Sequence, residues 1–288
     1  MPSPSIAHYG TTIIETPAPE GVVQKDIPAT GDLAGMLRLL TILGFEPLIE
    51  NMYPGMGRQY IRRRGAITDP DYIEFDAFTS YSAVQRPVTK SPRVGDTVFR
   101  VTQRLPVQVF NQAQNEGLIK TMSNAADVRS FQAGTRDWVL VRAPNGQCLE
   151  IGPTQETRAD NHTIYIWTDP AELESTAADF VQQFHMQRMS AFDFHGQAQG
   201  LRLRRERPGI TVGLLTPLPG NLVEPRWSDD IFREAGYSHY RMGSPNKSAT
   251  LRASRHAFPD GGDVSFVYFR DSYLELVQVQ ADDPALIG

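Results

Sequence analysis

The chain has 288 residues, of which 40% are hydrophobic and 21% are charged, values that exclude disordered, collagen-like and membrane-embedded chains. Its net charge is −5, and basic residues cluster only at 62–64 and 202–207, which argues against a nucleic-acid partner. The length indicates two domains, each large enough to bury its own core.

Cysteine usage and the lack of long apolar segments indicate the compartment. Cys148 is the only cysteine, so neither an intramolecular disulfide nor a cysteine-rich metal site is expected. Residues 1–21 lack the features of a secretion signal, and no later segment reaches the roughly 18 uninterrupted apolar residues of a membrane helix. We therefore predict a cytoplasmic protein with no membrane partner.

The first predicted unit follows a loose, proline-containing start. Apolar residues at helical spacing predict a helix over 31–43, and Gly44 is its expected C-cap. The strands expected around this helix are 22–27, 45–49, 59–63 and 72–78. The resulting order is β-α-β-β-β.

Similar units follow along the rest of the chain. The second has a strand at 96–101, a helix at 107–116 and a strand pair at 138–142 and 147–151 about a Pro-Asn-Gly turn. The third has a strand at 162–168, a helix begun by Asp169 and Pro170, and strands at 191–195, 201–205 and 210–216. The fourth is less regular, with helices near 228–235 and 247–254, a strand near 237–242 and a ladder over 264–279.

Four similar units suggest that one module was duplicated twice. A domain boundary is expected near residues 153–161. It divides the chain into an N-terminal pair of units, 1–153, with a structural role, and a C-terminal pair, 154–288, with the functional site.

Three stretches resemble modules of the vicinal oxygen chelate superfamily. They are Asp32-Leu33 through Leu43-Gly44-Phe45-Glu46, Trp138 through Glu150, and Tyr268 through Val277. The resemblance implies an α+β fold of four βαβββ modules paired into two domains with cupped mixed sheets. It also implies a divalent metal in the cup, bound by side chains from the first and last strands of the units, to which a substrate with two neighbouring oxygens chelates.

Three residues of the C-terminal half match the ligand positions that the resemblance implies. His162 opens a first strand, His239 lies on the corresponding strand of the fourth unit, and Glu275 lies on the last strand. Two histidines and a carboxylate leave open positions on Fe(II), or on Mn(II) or another divalent metal. The span from His239 to Glu275 is short for a unit, so His195 is an alternative ligand or a base. The alternatives without a metal are that His162 is a rim residue and that Glu275 faces solvent at a sheet edge.

The N-terminal half offers no matching set of ligands. Lys25 stands where a ligand is expected, which argues against a metal there. Glu74, Asp96 and Glu150 remain candidates for a carboxylate site. An inert first half beside an active second half is the arrangement of the extradiol ring-cleaving dioxygenases in this superfamily.

The resemblance therefore favours an Fe(II)-dependent extradiol dioxygenase that cleaves a catecholic ring. His256 and Tyr268 precede Glu275, as do a His and a Tyr in the extradiol signature, and with His195 they are the candidate catalytic residues. Two alternatives stay open: a redox-neutral lyase, isomerase or epimerase, and a metal-free small-molecule binding protein. The expected partner is a small aromatic molecule with vicinal oxygens, and the protein is expected to form a homo-oligomer.

Overall fold

A computed structural model describes most of the chain. The described residues are 9–15, 33–53, 56–63, 72–78, 91–144, 146–161, 163–205, 210–225, 236–244, 253–257, 263–269 and 272–278. Side chains are described for residues 35–45 and for most of 91–225.

Strands dominate the described residues. In chain order they are β1 (Tyr9–Glu15), β2 (Phe45–Tyr53), β3 (Met56–Arg63), β4 (Tyr72–Phe78), β5 (Thr97–Gln103), β6 (Lys120–Thr121), β7 (Val139–Arg142), β8 (Cys148–Pro153), β9 (Thr163–Trp167), β10 (Gln187–Phe194), β11 (Ala198–Arg205), β12 (Ile210–Pro217), β13 (Gly236–Ser244), β14 (Ala253–Ala257), β15 (Asp263–Phe269) and β16 (Ser272–Gln278). The helices are α1 (Leu33–Ile42), α2 (Pro106–Asn115), α3 (Ala125–Gln132), α4 (Arg158–Asn161) and α5 (Leu173–Phe184). None of these helices is long and apolar enough to cross a bilayer.

The described strands form two sheets with the same internal organisation. The first has the order β14-β15-β16-β13-β1-β4-β3-β2 and the second has the order β10-β11-β12-β9-β5-β8-β7-β6. In each, the first strands of two units meet antiparallel at the centre, and each first strand pairs parallel with the last strand of its own unit. The α+β class with mixed sheets built from βαβββ modules is thus confirmed.

The pairing of units differs from the expected pairing of neighbours within each half. The first sheet joins the first unit to the fourth, and the second sheet joins the second unit to the third. Connection length gives the reason. The connection over 154–162 is short and joins β8 to β9, which pairs with β5, whereas the connections over 79–96 and 218–235 are longer and join strands of different sheets. The predicted boundary near 153–161 therefore lies inside the second sheet.

The two long connections touch each other. The backbone N–H of Val94 donates to the carbonyl of Glu224 at 2.9 Å, and the N–H of Glu224 donates to the carbonyl of Pro92 at 2.9 Å. Arg93, which is buried, lies 3.9 Å from the Glu224 carboxylate. These contacts hold the segment that precedes β5 against the segment that follows β12.

The main core lies between the helices and one face of the second sheet. Phe110 of α2 packs edge to face on Phe131 of α3, with ring centroids 5.4 Å apart. Helix α1 contributes Met36, Leu39 and Leu40 to the same core, although its unit belongs to the first sheet. Burying such side chains is worth about 1.5–3 kcal/mol each, so α1 helps to join the two sheets into one body.

Most predicted elements agree with the structure, and two predictions need correction. Residues 9–15, expected to be loose, form β1, because the run Thr11 to Ile14 is β-branched and pairs on both sides. The helix predicted over 247–254 ends within β14, which is held by pairing with β15. Helix α3, capped by the Asn124 side chain, was not predicted. The predictions at 22–27 and 228–235 lie outside the described residues.

Candidate functional site

A buried ionic network occupies the centre of the second sheet, on the face opposite the helices. Glu150 stands on β8 between the core residues Leu149 and Ile151 and pairs with Arg100 on β5. Because alternate residues of a strand face opposite sides, the Glu150 side chain lies on the sheet face opposite the apolar core. We call this face of the second sheet its cup. Its side chain is only 4% exposed, and that of Arg100 is 10% exposed.

Three donors reach the Glu150 carboxylate. Arg100 Nε donates to Oε2 at 2.7 Å, and the Tyr165 hydroxyl donates to the same oxygen at 3.0 Å. The other oxygen, Oε1, lies 2.8 Å from His195 Nε2. The carboxylate is therefore paired and hydrogen-bonded on both oxygens, as a buried charge must be.

His195 reaches the network from a strained turn between β10 and β11. Its backbone has φ of 54°, in the left-handed region, and its side chain is 5% exposed. Arg136 Nη2 lies 3.4 Å from Nδ1. A guanidinium only donates, so Nδ1 accepts and the ring proton sits on Nε2, which donates to Glu150. Both ring nitrogens are thus engaged within the protein.

The ionisation of the network follows from competing effects. Burial by itself raises the pKa of Glu150, but the hydrogen bond from His195 and the charge of Arg100 outweigh it and hold that pKa below its ordinary value. Burial, reinforced by the Glu150 charge, raises the pKa of Tyr165 well above its ordinary value. The resting state is therefore a carboxylate, a guanidinium and a neutral phenol.

Aromatic rings fill the space around this network. Arg100 lies over the Trp138 ring at 3.9 Å, and the Tyr165 and Phe194 rings are 4.7 Å apart. Tyr165 lies against Gly213 on the neighbouring strand β12, at a position where any Cβ would overlap its ring. Phe192 and Trp138 lie in the same way against Gly200 and Gly152. The rings and the ion pair together occupy the floor of this cup.

The first sheet carries most of the residues that the sequence analysis selected. Glu74 on β4 and His239 on β13 both pair with Thr12 on β1. Glu275 on β16 pairs with Arg241, two residues beyond His239. The alternation of a strand assigns Glu74, His239 and Glu275 to register positions of one face.

His256 and Tyr268 hold register positions of that same face. His256 on β14 pairs with Val264 on β15, and Glu275 pairs with Phe266. Val264, Phe266 and Tyr268 alternate along β15, so they share a face with Glu275. Val264, the residue that pairs with His256, lies four positions before Tyr268 along β15.

The remaining candidates lie elsewhere. His162 is outside the described residues, and the residue after it begins β9 in the second sheet. Asp96 closes the turn before β5, where its carboxylate accepts from the backbone N–H of Arg93 at 3.0 Å. His195 joins Glu150 in the second sheet. The sequence-predicted residues are thus divided between two sheets.

Sequence reasoning did not select Arg100, Tyr165 or Arg136. A usable signal exists for Arg100: it is a charged residue within the apolar run Val98 to Val101, as Glu150 is within Leu149 to Ile151. A lone charge in a buried strand requires a partner. Nothing in the sequence indicates that Arg136 meets His195, because this contact depends on two turns.

Within the part of the chain whose side chains are described, no three His, Cys, Asp or Glu residues converge as metal ligands. The donor set at the centre of the second sheet does not fit a metal. Arg100 has no lone pair to offer, and both oxygens of Glu150 already accept hydrogen bonds.

The fold is similar to solved structures of glyoxalase I from Zea mays. A single-residue mutant of that protein has a TM-score of 0.63 and 13% identity, over 95% of this chain and 92% of that chain. Another structure of maize glyoxalase I has a TM-score of 0.61 and 11% identity, over the same shares of the two chains. The fosfomycin resistance protein FosX from Listeria monocytogenes matches 51% of this chain at 8% identity and a TM-score of 0.30.

No protein-family model and no curated protein matches the sequence. The similarity to maize glyoxalase I extends over nearly the whole chain. The chain therefore shares the fold of these structures, and its own units pair about antiparallel central strands.

Proposed function

We propose that the protein is a metal-dependent enzyme whose reactive centre lies on one face of the first sheet, with Glu74, His239 and Glu275 as the metal ligands. The register of four adjacent strands carries this proposal. Glu74 and His239 pair from opposite sides with Thr12. Glu275, on the next strand, pairs with a residue two positions from His239.

The donor types support a divalent ion. Two carboxylates and one imidazole suit Mn²⁺, Zn²⁺ or Fe²⁺ and leave coordination positions for a substrate. A metal bound there would stabilise negative charge on two neighbouring substrate oxygens. This set differs from the sequence prediction at one position. Glu74 replaces His162, because His162 precedes a strand of the second sheet.

We propose redox-neutral chemistry, that of a lyase, isomerase or epimerase acting on a small molecule with vicinal oxygens. The fold similarity to maize glyoxalase I supports this class over the dioxygenases. His256 and Tyr268, at register positions of the same face, are the candidates for moving a proton to and from the substrate.

An Fe(II) extradiol dioxygenase acting on a catecholic aromatic is the second candidate. It is favoured by the common face of His256, Tyr268, His239 and Glu275, which are the residue types of the extradiol signature. Assays with and without O₂ separate the two classes. The redox-neutral enzyme keeps its rate when O₂ is removed, whereas the dioxygenase stops.

The metal centre is tested by titrating the demetallated full-length protein with Mn²⁺, Zn²⁺ and anaerobic Fe²⁺. The wild type is expected to bind one equivalent, and Glu74→Gln, His239→Ala and Glu275→Gln are each expected to weaken binding at least 100-fold. Glu150→Gln is the matched control, since Glu150 holds the corresponding place in the second sheet. It is expected to bind metal like the wild type.

The result for His162→Ala decides between the two ligand sets. Unchanged metal affinity in this variant supports Glu74 as the third ligand. Loss of metal from His162→Ala together with normal binding by Glu74→Gln would restore the original set of two histidines and one carboxylate. Normal binding by all three first-sheet variants would remove the proposal.

We propose further that the protein acts in the cytoplasm as a homo-oligomer. The single cysteine, Cys148, supports a reducing compartment. Light scattering on the purified chain tests the association, and a mass equal to one chain would contradict it.

A further inference from the structure

We infer that Arg100 takes the place of a metal ion at the centre of the second sheet, so that this cup is held together by a guanidinium group and binds no metal. The inference rests on the ligands proposed for the first sheet as its reference, and its test uses only residues of the second sheet.

The two sheets can be compared residue by residue through their registers. In the first sheet Arg241 pairs with Glu275, and in the second Arg100 pairs with Glu150. Each pair joins the first and last strands of one unit. The two glutamates therefore hold equivalent positions, and so do the two arginines, which means that the sheets differ at the remaining two donor positions.

The other two donors proposed for the first sheet have no counterpart in the second. His239 pairs with Thr12, which pairs with Glu74. The equivalent chain of pairs in the second sheet runs from Val98 to Tyr165 to Gly213. Val98 thus occupies the position equivalent to His239, and Gly213 occupies the position equivalent to Glu74. Of the three positions, only that of Glu150 carries a donor side chain.

The Arg100 guanidinium contacts the groups that a central cation would hold. Its Nε donates to Glu150 on β8, its Nη2 donates to the hydroxyl of Tyr165 on β9, and its Nη1 lies 3.4 Å from the carbonyl of Asp160 in α4. The plane of the group is covered by the Trp138 ring at 3.9 Å. One planar cation therefore ties two neighbouring strands and a helix to β5.

The surrounding rings close the position. Tyr165 fits only because residue 213 is glycine, and Phe192 fits only because residue 200 is glycine. His195, which also contacts Arg136, is engaged on Oε1 of Glu150, and Arg100 and Tyr165 are engaged on Oε2, so both carboxylate oxygens already accept hydrogen bonds. The side chains at the centre of this cup therefore pack against one another and form hydrogen bonds with one another.

The test measures metal content and melting temperature in full-length variants. Glu150→Gln and Tyr165→Phe are expected to carry as many metal equivalents as the wild type. Arg100→Met is expected to melt roughly 10 °C lower, since it leaves a buried carboxylate without its cation. Arg188→Met is the matched control, because Arg188 forms an exposed ion pair with Glu174, and a shift below about 2 °C is expected.

Either of two results would overturn the inference. One is the loss of a metal equivalent from Glu150→Gln or Tyr165→Phe. The other is an Arg100→Met variant that melts with the wild type. Tyr165→Phe keeps the metal test valid if Glu150→Gln fails to fold. All these variants lie in the second sheet, so their results are separate from those of Glu74, His239 and Glu275.

Discussion

At the scale of single residues, Glu150 shows how a buried carboxylate keeps its charge. Burial raises its pKa, and the hydrogen bond from His195 and the charge of Arg100 lower that pKa by more. A carboxyl group whose pKa is lower in the folded than in the unfolded protein stabilises the fold above the unfolded pKa. That stabilisation is lost as the pH falls through the folded pKa.

We therefore expect the effect of Glu150→Gln to depend on pH. At pH 7 the free energy of unfolding of the variant should be about 3 kcal/mol lower than that of the wild type, because Arg100 is left buried without its anion. The difference should shrink as the pH falls below 4.5, the ordinary pKa of a glutamate, because the unfolded wild-type carboxyl is protonated first and the folded one follows at its lower pKa. Denaturant unfolding at several pH values measures it.

The control for this prediction is Glu174→Gln, which removes an exposed carboxylate paired with Arg188. It should change stability far less at every pH. A difference between wild type and Glu150→Gln that stays constant down to pH 3 would mean that Glu150 is not the titrating group.

At the scale of elements, β12 has a glycine where the adjacent strand carries its largest fully buried side chain, Tyr165. Gly213 pairs with Tyr165, and a Cβ at 213 would overlap the Tyr165 ring and lie 3.3 Å from Cζ of Phe192. The strand around it, from Val212 to Leu215, is otherwise buried and apolar. The close approach of the ring, and not a turn, therefore requires this glycine.

Gly213→Ala should destabilise the protein by about 2 kcal/mol through overpacking. Tyr165→Leu removes the ring, so adding it to Gly213→Ala should yield a double variant less destabilised than the sum of the two single changes. Unfolding by denaturant measures all three. Strict additivity would show that the methyl group does not meet the ring.

At the scale of the whole molecule, each sheet is built from both halves of the chain. Strand β9 pairs with β5, and β13 pairs with β1, so every central antiparallel pair joins residues before 153 to residues after 154. Helix α1 also shares a core with the second sheet. Neither half contains a complete sheet.

The fragments 1–153 and 154–288 should therefore not fold separately but should associate when coexpressed. Size-exclusion chromatography of the coexpressed pair is expected to show a one-to-one complex with the far-ultraviolet circular dichroism of the intact chain. The fragment 91–225, which spans all strands of the second sheet, is the control and should keep sheet structure alone. A cooperatively folded 154–288 would contradict the cross-half pairing.

Local patterns in the sequence were enough to predict most elements and the fold. The helical spacing before Gly44, the hairpin about Gly146 and the Asp169-Pro170 helix start all agree with the structure. Each of these signals depends on neighbouring residues, whose backbone preferences act over a few positions. The common face of His239 and Glu275 depends in addition on the register between their strands, which pairs Glu275 with Arg241.

The sequence by itself therefore determined the repeated βαβββ units and most of the residue types suited to chemistry. Only the tertiary structure decided which units share a sheet, and so which charges meet. All four units have similar apolar patterns, so several pairings would bury their faces equally well. Connection lengths and cross-strand register chose among them, and they brought Arg100, Tyr165 and His195 to Glu150 from distant parts of the chain.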